Sequence, residues 1–235
     1  MLTQEQNDTL TRVGPGTPMG TLMRRYWIPV LLDWEVAEPD GEPVMVDLLG
    51  EELVAFRATD GTVGLIGARC AHRRAHMFYG RNEEQGLRCV YHGWKFDTAG
   101  QCVDMPNEPV ESNFKDRVRK LAYPTYETGG VIWAYMGPKE KQPEPPLYEW
   151  TQVPSDYRTC TKVIQDCNWL QGFEGGIDSS HTNFLHGGRP PGAPQDDSLM
   201  GRARRVSLAP DIQVVPTDYG YTSAGIRSVG DDGDN

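Results

Sequence analysis

Runs of alternating apolar and polar residues set the texture of most of this chain, and the alternation predicts strands rather than long helices. Three short strands are read over 44–49 (VMVDLL), 52–58 (ELVAFRA) and 62–66 (TVGLI), with Asp60-Gly61 as the hairpin turn between the second and third. Further strands are predicted near 87–90, 94–97, 101–104 and 131–136, Ala99-Gly100 supplying one of the turns. Many short strands with turn signals between them predict a small antiparallel β-domain. Ahead of it, residues 3–30 read as helical in two pieces. Thr3 and Gln6 have the spacing of a capping box, Gly14-Pro15-Gly16 interrupts the run, and a second helix spans 18–26.

The stretch 137–146, GPKEKQPEPP, combines proline and charge at the density of a semi-extended linker. The expected division is an N-terminal helical segment (1–40), a β-domain (41–140), a linker (141–150) and a second domain (151–235). In the last of these a strand is predicted at 158–165, a helix at 168–185, a Gly/Pro-rich loop at 187–197 and two strands at 212–216 and 221–228. The final strand runs into Asp231-Asp232-Gly233-Asp234-Asn235, a hairpin-turn composition, so the second domain is expected to be cut short.

Composition narrows the function. With 38% hydrophobic and 24% charged residues, the chain can build a core. No apolar run nears the ~20 residues of a membrane helix, so a spanning protein is not expected. MLTQEQNDTL lacks the basic and apolar regions of a secretory signal, and a cytoplasmic protein is expected. The net charge of -10 argues against nucleic acid or anionic lipid as a general partner. Five cysteines without a secretory signal point to reduced thiols or metal ligands.

Cys70-Ala71-His72 and Cys89-Val90-Tyr91-His92 each place a cysteine and a histidine within one loop. Two loops of that kind can clamp a [2Fe–2S] cluster of Rieske type, thiolates on one iron and imidazoles on the other. Neutral imidazoles in place of two thiolates ease the addition of an electron and raise the reduction potential. A Cys2His2 zinc site is the competing reading, but zinc fingers usually pair like residues, and here unlike residues pair. Two unrelated Cys and His pairs in a β-domain are the bland alternative. His76 fits no ligand position and reads as a hydrogen-bonded loop histidine, while Cys102, Cys160 and Cys167 read as small buried thiols.

A second cluster lies in NWLQGFEGGIDSSHTNFLH, residues 168–186. On a helix, Glu174, Asp178 and His181 would share a face, whereas His186 would lie roughly 140° further round. A regular helix therefore cannot bring His181 and His186 to one ion; one must sit past its end, or the helix must be distorted. By spacing alone, the pair is equally an iron site or a polar helix face with two ordinary histidines.

Residues 70–102, CAHRRAHMFYGRNEEQGLRCVYHGWKFDTAGQC, resemble the Rieske domain of the aromatic-ring-hydroxylating oxygenases. Respiratory Rieske proteins differ: they carry an extra cysteine in each loop, joined as a disulfide, and this chain has Tyr91 and Arg73-Arg74-Ala75 there. They also place hydroxyl donors near the cluster sulfurs where this chain has Gly93-Trp94-Lys95, so a potential at the low end of the Rieske range is expected. Segment 168–186 resembles the oxygenases' iron motif, including Asn168-Trp169 at its start. With TRVGPGTPMGTLMRRYWIPVLL (11–32), the three segments resemble the phthalate 4,5-dioxygenase type of Rieske non-haem iron oxygenase, alpha subunit.

This resemblance implies an α+β chain, a Rieske domain followed by the first part of a helix-grip catalytic domain. It implies a [2Fe–2S] cluster on Cys70, His72, Cys89 and His92, and mononuclear Fe(II) on His181 and His186 with a third, carboxylate ligand lying beyond this sequence. Asp178 is implied as the electron bridge, hydrogen-bonded in cis to His181 and in trans to His92 or His72 of a neighbour, hence a homotrimer or a multiple of one. Electrons would come from NAD(P)H through a separate flavin and iron–sulfur reductase, and O2 would hydroxylate or demethylate an aromatic substrate, carboxylated ones included. Arg202, Arg204 and Arg205 are candidate cations for a carboxylate, while Asp211 stands where some phthalate-type members carry a basic residue. An electron carrier or a remnant without a complete iron site is the alternative.

Overall fold

The computed structural model describes residues 2–187 and 192–229. Two compact units divide the chain, the first ending at Ile164 and the second starting at Gln165. The first opens on α1 (Gln4–Thr11) and α2 (Pro18–Met23). The capping box forms: Thr3 Oγ1 accepts from the Gln6 amide at 3.2 Å, and Gln6 Oε1 accepts from the Thr3 amide at 2.9 Å. Helix then stops earlier than the sequence predicts. Residues Trp27–Leu32 form a strand, β1. Pro29 cannot donate within a helix, and its β-branched neighbours Ile28 and Val30 favour a pleated surface. The strand accommodates the proline through a register shift between Pro29 and Leu31.

Strands β2 (Val44–Leu48), β3 (Glu51–Arg57) and β4 (Val63–Gly67) follow as an antiparallel meander. The Asp60-Gly61 turn joins the last two, Gly61 taking φ +87° and Asp60 Oδ1 accepting from the Thr62 amide. A third sheet is built from β5 (Arg81–Glu83), β6 (Gly86–Arg88), β7 (Lys95–Phe96) and β8 (Cys102–Asp104), paired in sequence order. Strand β9 (Ala122–Tyr123) closes the β2-β3-β4 sheet, and β10 (Thr125–Thr128) joins β11 (Val131–Tyr135), which pairs on its other edge with β1.

Strand β3 reads as an unbroken apolar run because both of its faces are covered. Val54 and Phe56 enter one core with Ile66, Met77, Leu87 and Phe96. Leu53 and Ala55 enter another with Leu31, Val46, Ile132 and Ala134. The Phe56 ring crosses to β4 at Gly64, where a Cβ would lie 2.7 Å from the ring. Phe56 is fully buried, so Phe56→Ala is expected to cost about 3–5 kcal/mol of stability. Denaturant unfolding followed by tryptophan fluorescence checks this; a loss under about 1 kcal/mol would mean the site collapses around the deletion.

The linker expected at 141–150 lies inside the first unit. Trp27 Nε1 donates to the Pro143 carbonyl at 3.0 Å, and the rings of Tyr148 and Trp133 stand 5.8 Å apart. Aromatic residues among the prolines have apolar faces to cover, which anchors the stretch. The strand expected at 158–165 does not form. Cys160 and Lys162 instead reach the Gly129 carbonyl and Glu35 through their side chains.

The second unit contains α3 (Trp169–Ile177), α4 (Leu199–Val206) and the hairpin β12 (Asp211–Thr217) with β13 (Gly220–Ile226). The two strands match the expected ones, whereas α4 was not predicted; Ser198 caps it, accepting from the Gly201 amide. The Asp/Gly tail at 231–235 and residues 188–191 of the Gly/Pro loop lie outside the described residues. No described helix is long and apolar enough to cross a membrane.

Candidate metal centres

Two loops of the first unit present the first constellation, one after β4 and one between β6 and β7. They share a backbone pattern. In the first, the Cys70 amide donates to the Ala75 carbonyl (2.8 Å) and the Arg74 amide donates back to Cys70 (3.0 Å). In the second, the Cys89 amide donates to Trp94 (2.9 Å) and the Gly93 amide donates back to Cys89 (3.0 Å). Each loop thus closes on its cysteine, four and five residues on, with a left-handed residue at the fourth: Arg74 at φ +62° and Gly93 at φ +76°. A Cβ on Gly93 would come within 2.6 Å of the Pro106 ring, so glycine is required there.

These closures bring all four expected cluster residues to one place. Cys70 and Cys89 are buried in the core beneath the loops. The rings of His72 and His92 stand 4.5 Å apart at 66°, and His72 stacks on Trp94 at 4.6 Å and 10°. Trp94 is fixed in turn by its Nε1, which donates to Asn107 Oδ1 at 2.7 Å. Nδ1 of His72 and Nδ1 of His92 are both buried, and neither has a hydrogen-bond partner. An unpaired buried nitrogen costs about 1–3 kcal/mol. Two of them side by side, above two buried thiols, fit a group that accepts lone pairs. Burial first, then the His92 imidazole, lowers the pKa of His72 and favours the neutral ring that can ligate iron. Burial also raises the Cys70 thiol, and the nearby Cys89 raises it further.

Three further residues support the loops, and sequence reasoning missed their part. Arg88 donates through Nη1 to the Gly93 carbonyl and to Asp104, each at 2.7 Å, and through Nε to Glu83, which pins the second loop. Cys102 is buried beside Cys70, and burial pushes its thiol up to about 11. Lys120 donates to the Arg69 carbonyl. His76 is the hydrogen-bonded loop histidine that was expected, its Nδ1 accepting from the Phe78 amide at 3.1 Å. Cys160 and Cys167 depart from expectation: the first is half-buried and the second exposed.

The second constellation is not on one helix. Helix α3 ends at Ile177, Asp178 turns extended, and His181–Asn183 forms a separate 3-10 turn. Gly175 and Gly176 weaken the helix, and the Asp178 carboxylate takes over the freed amides of Ser180 (2.7 Å) and His181 (3.3 Å). Both histidines therefore lie past the helix end, with rings 5.3 Å apart. Glu174 stays on the helix and does not join them. Asp178 Oδ2 lies 3.0 Å from His181 Nδ1, and the Ser180 amide first, then His181, lower the carboxyl's pKa. An ionised Asp178 can accept a hydrogen bond from Nδ1–H of His181, the tautomer that leaves Nε2 with the free lone pair. Among the described residues, no three His, Cys, Asp or Glu side chains converge on a single-ion site. A two-iron cluster splits its ligands between metals and needs no such convergence. At the second constellation the structure brings His181 and His186 together, the two histidines expected there.

Residues 26–122 match the Rieske [2Fe-2S] domain, and residues 134–234 match the family described as LigXa C-terminal domain like. The chain is 46% identical over 233 residues to the phthalate 4,5-dioxygenase oxygenase subunit of Pseudomonas putida, covering 97% of this chain and 53% of that one. It is 47% identical over 222 residues to the 3-chlorobenzoate-3,4-dioxygenase oxygenase subunit of Comamonas testosteroni, covering 94% and 50%. The solved structure of NdmA from Pseudomonas putida CBB5 superposes with a TM-score of 0.60 at 26% identity, covering 85% of this chain and 58% of that one. Residues 26–122 therefore belong to the Rieske [2Fe–2S] domain family and residues 134–234 to the LigXa C-terminal-like family, joined in one chain. It spans about half the length of the curated relatives it matches.

Proposed function

We propose that this chain acts in the oxygenase component of a Rieske non-haem iron enzyme that oxidises an aromatic substrate. The observation that carries the reading is the pairing, in one chain, of two orphaned imidazole nitrogens over buried thiols with a second histidine pair braced by Asp178. Cys70 and Cys89 would hold one iron of the cluster and His72 and His92 the other, within the domain expected over 41–140. The cluster would supply one-electron transfer, and mononuclear iron on His181 and His186, in the domain expected over 151–235, would supply O2 activation.

The residues of this chain prepare both sites. Arg88 and the two closed turns hold the cluster loops in register before any metal arrives. Trp94 covers one face of His72 and limits water there. Asp178 fixes the tautomer and aim of His181, and as an ionised carboxylate it can also accept from a Rieske histidine of a neighbouring subunit. That second bond would make the working unit a ring, a trimer or a multiple of one, fed by a separate NAD(P)H-dependent reductase.

The substrate proposed is an aromatic carboxylate. Two relatives are named for phthalate and for 3-chlorobenzoate, and Arg204 and Arg205 line a cavity of about 540 Å3 in the second unit together with His186. The test is anaerobic loading with iron and sulfide, followed by NADH-dependent O2 uptake with a reductase and phthalate or 3-chlorobenzoate. A loaded cluster with no substrate-dependent O2 uptake, on a panel of aromatic acids, would leave an electron carrier. Asp178→Asn keeps the shape and one acceptor but loses the charge, and turnover is expected to fall about 10–100-fold with both metals retained. Full turnover by that variant removes the bridging role.

A further inference from the structure

Several cations around the two cluster loops are neutralised by carboxylates. Arg88 pairs with Glu83 and Asp104, Arg69 with Glu52, and Lys95 with Glu84. Lys120 makes no ion pair among the described residues. Its ammonium lies 5.2 Å from the centroid of the buried Phe96 ring and donates to the carbonyl of Arg69, the residue directly before Cys70. The backbone holds it there: the Lys120 amide donates to Gly100 at 2.7 Å, and the Gly67 amide donates to the Leu121 carbonyl at 2.9 Å. Burial lowers the ammonium to about 8, and the groups that act in the opposite direction are the thiols of Cys70 and Cys89.

We infer that Lys120 is a redox-tuning residue, a fixed cation behind the thiolate side of the cluster that favours its reduced form. The inference rests on the Rieske reading above. Reduction adds one negative charge to the cluster, and a nearby cation in a partly desolvated place stabilises that charge with little screening by salt. An unpaired, half-buried lysine is costly unless something anionic answers it, and here the answering group would be the reduced cluster. This charge works against the paucity of hydroxyl donors at Gly93-Trp94-Lys95, which is expected to lower the potential.

The test compares wild type, Lys120→Met, Lys120→Gln and Lys120→Arg, each as the full chain loaded anaerobically with iron and sulfide. Metal and sulfide content and the EPR spectrum report the cluster; spectroelectrochemical titration reports its midpoint. Met keeps the stem over Phe96, Gln keeps a donor for Arg69, and Arg keeps the charge. The neutral variants are expected to be about tenfold harder to reduce at a fixed potential, about 59 mV for one electron, with spectra unchanged and Lys120→Arg close to wild type. An unchanged midpoint in either loaded neutral variant would overturn the inference. Loss of the cluster from both neutral variants but not from Lys120→Arg would also overturn it, since the charge would then serve assembly. A wild-type chain that takes up no cluster would fail the Rieske reading itself.

Discussion

Cys70→Ser is expected to abolish the cluster: no Rieske EPR signal, no visible absorption, and iron and sulfide at background after loading. Cys70 is buried at 1% exposure, in the floor of a loop closed by its own backbone, so a serine there would offer the cluster an oxygen held in the same place. A serine oxygen is a harder, less readily ionised ligand than thiolate, and the cluster's irons prefer the soft donor. The fold around it should persist, because a serine fits where the thiol fits and the core beneath is supplied by Met77, Leu87 and Phe96. Circular dichroism close to wild type would separate loss of ligand from loss of fold. The same experiment disposes of the zinc alternative, since a d10 zinc site would leave the wild-type chain colourless. A variant that keeps a full cluster would remove Cys70 from the ligand set.

What the sequence disclosed follows how local each signal is. The Thr3 capping box, the Asp60-Gly61 turn and the Cys-x-His and Cys-x2-His spacings act over a few residues, and all could be read directly. Strand β1 could not, because Pro29 breaks helix without announcing that β11, a hundred residues on, will pair with it. The run at 158–165 alternates like a strand but finds no partner, and alternation alone cannot supply one. Helix α3 was read too long because the histidines follow it closely, while the stop lies in Gly175-Gly176 and in a carboxylate that prefers amides to the helix. At the cluster site the ligand types were legible. The left-handed Arg74 was not, since nothing marks an arginine for that conformation. Lys120 was invisible for another reason: its contact spans fifty-one residues of chain and sets it beside the buried Phe96 ring.

His181→Ala is expected to end oxygenation while sparing the cluster. His181 lies in the second unit, and none of its hydrogen bonds or ring contacts among the described residues reaches the cluster loops. The reductase should therefore still reduce the variant, with an unaltered Rieske spectrum. At the second site the change removes one of two imidazoles and strands the Asp178 carboxylate, which loses the ring it orients. A residue that only orients a ligand costs about 10–100-fold when changed, so a direct ligand must cost more than about 100-fold in product formation. Asp178→Asn and His181→Ala thus form an ordered pair: the first slows turnover with iron retained, the second loses iron and turnover together. If the two variants fell equally, with iron retained in both, His181 would be another member of the bridge rather than a ligand. If His181→Ala kept more than about a tenth of wild-type turnover, less than an orienting residue costs, the iron would have to sit elsewhere and the braced histidine pair would be a surface feature.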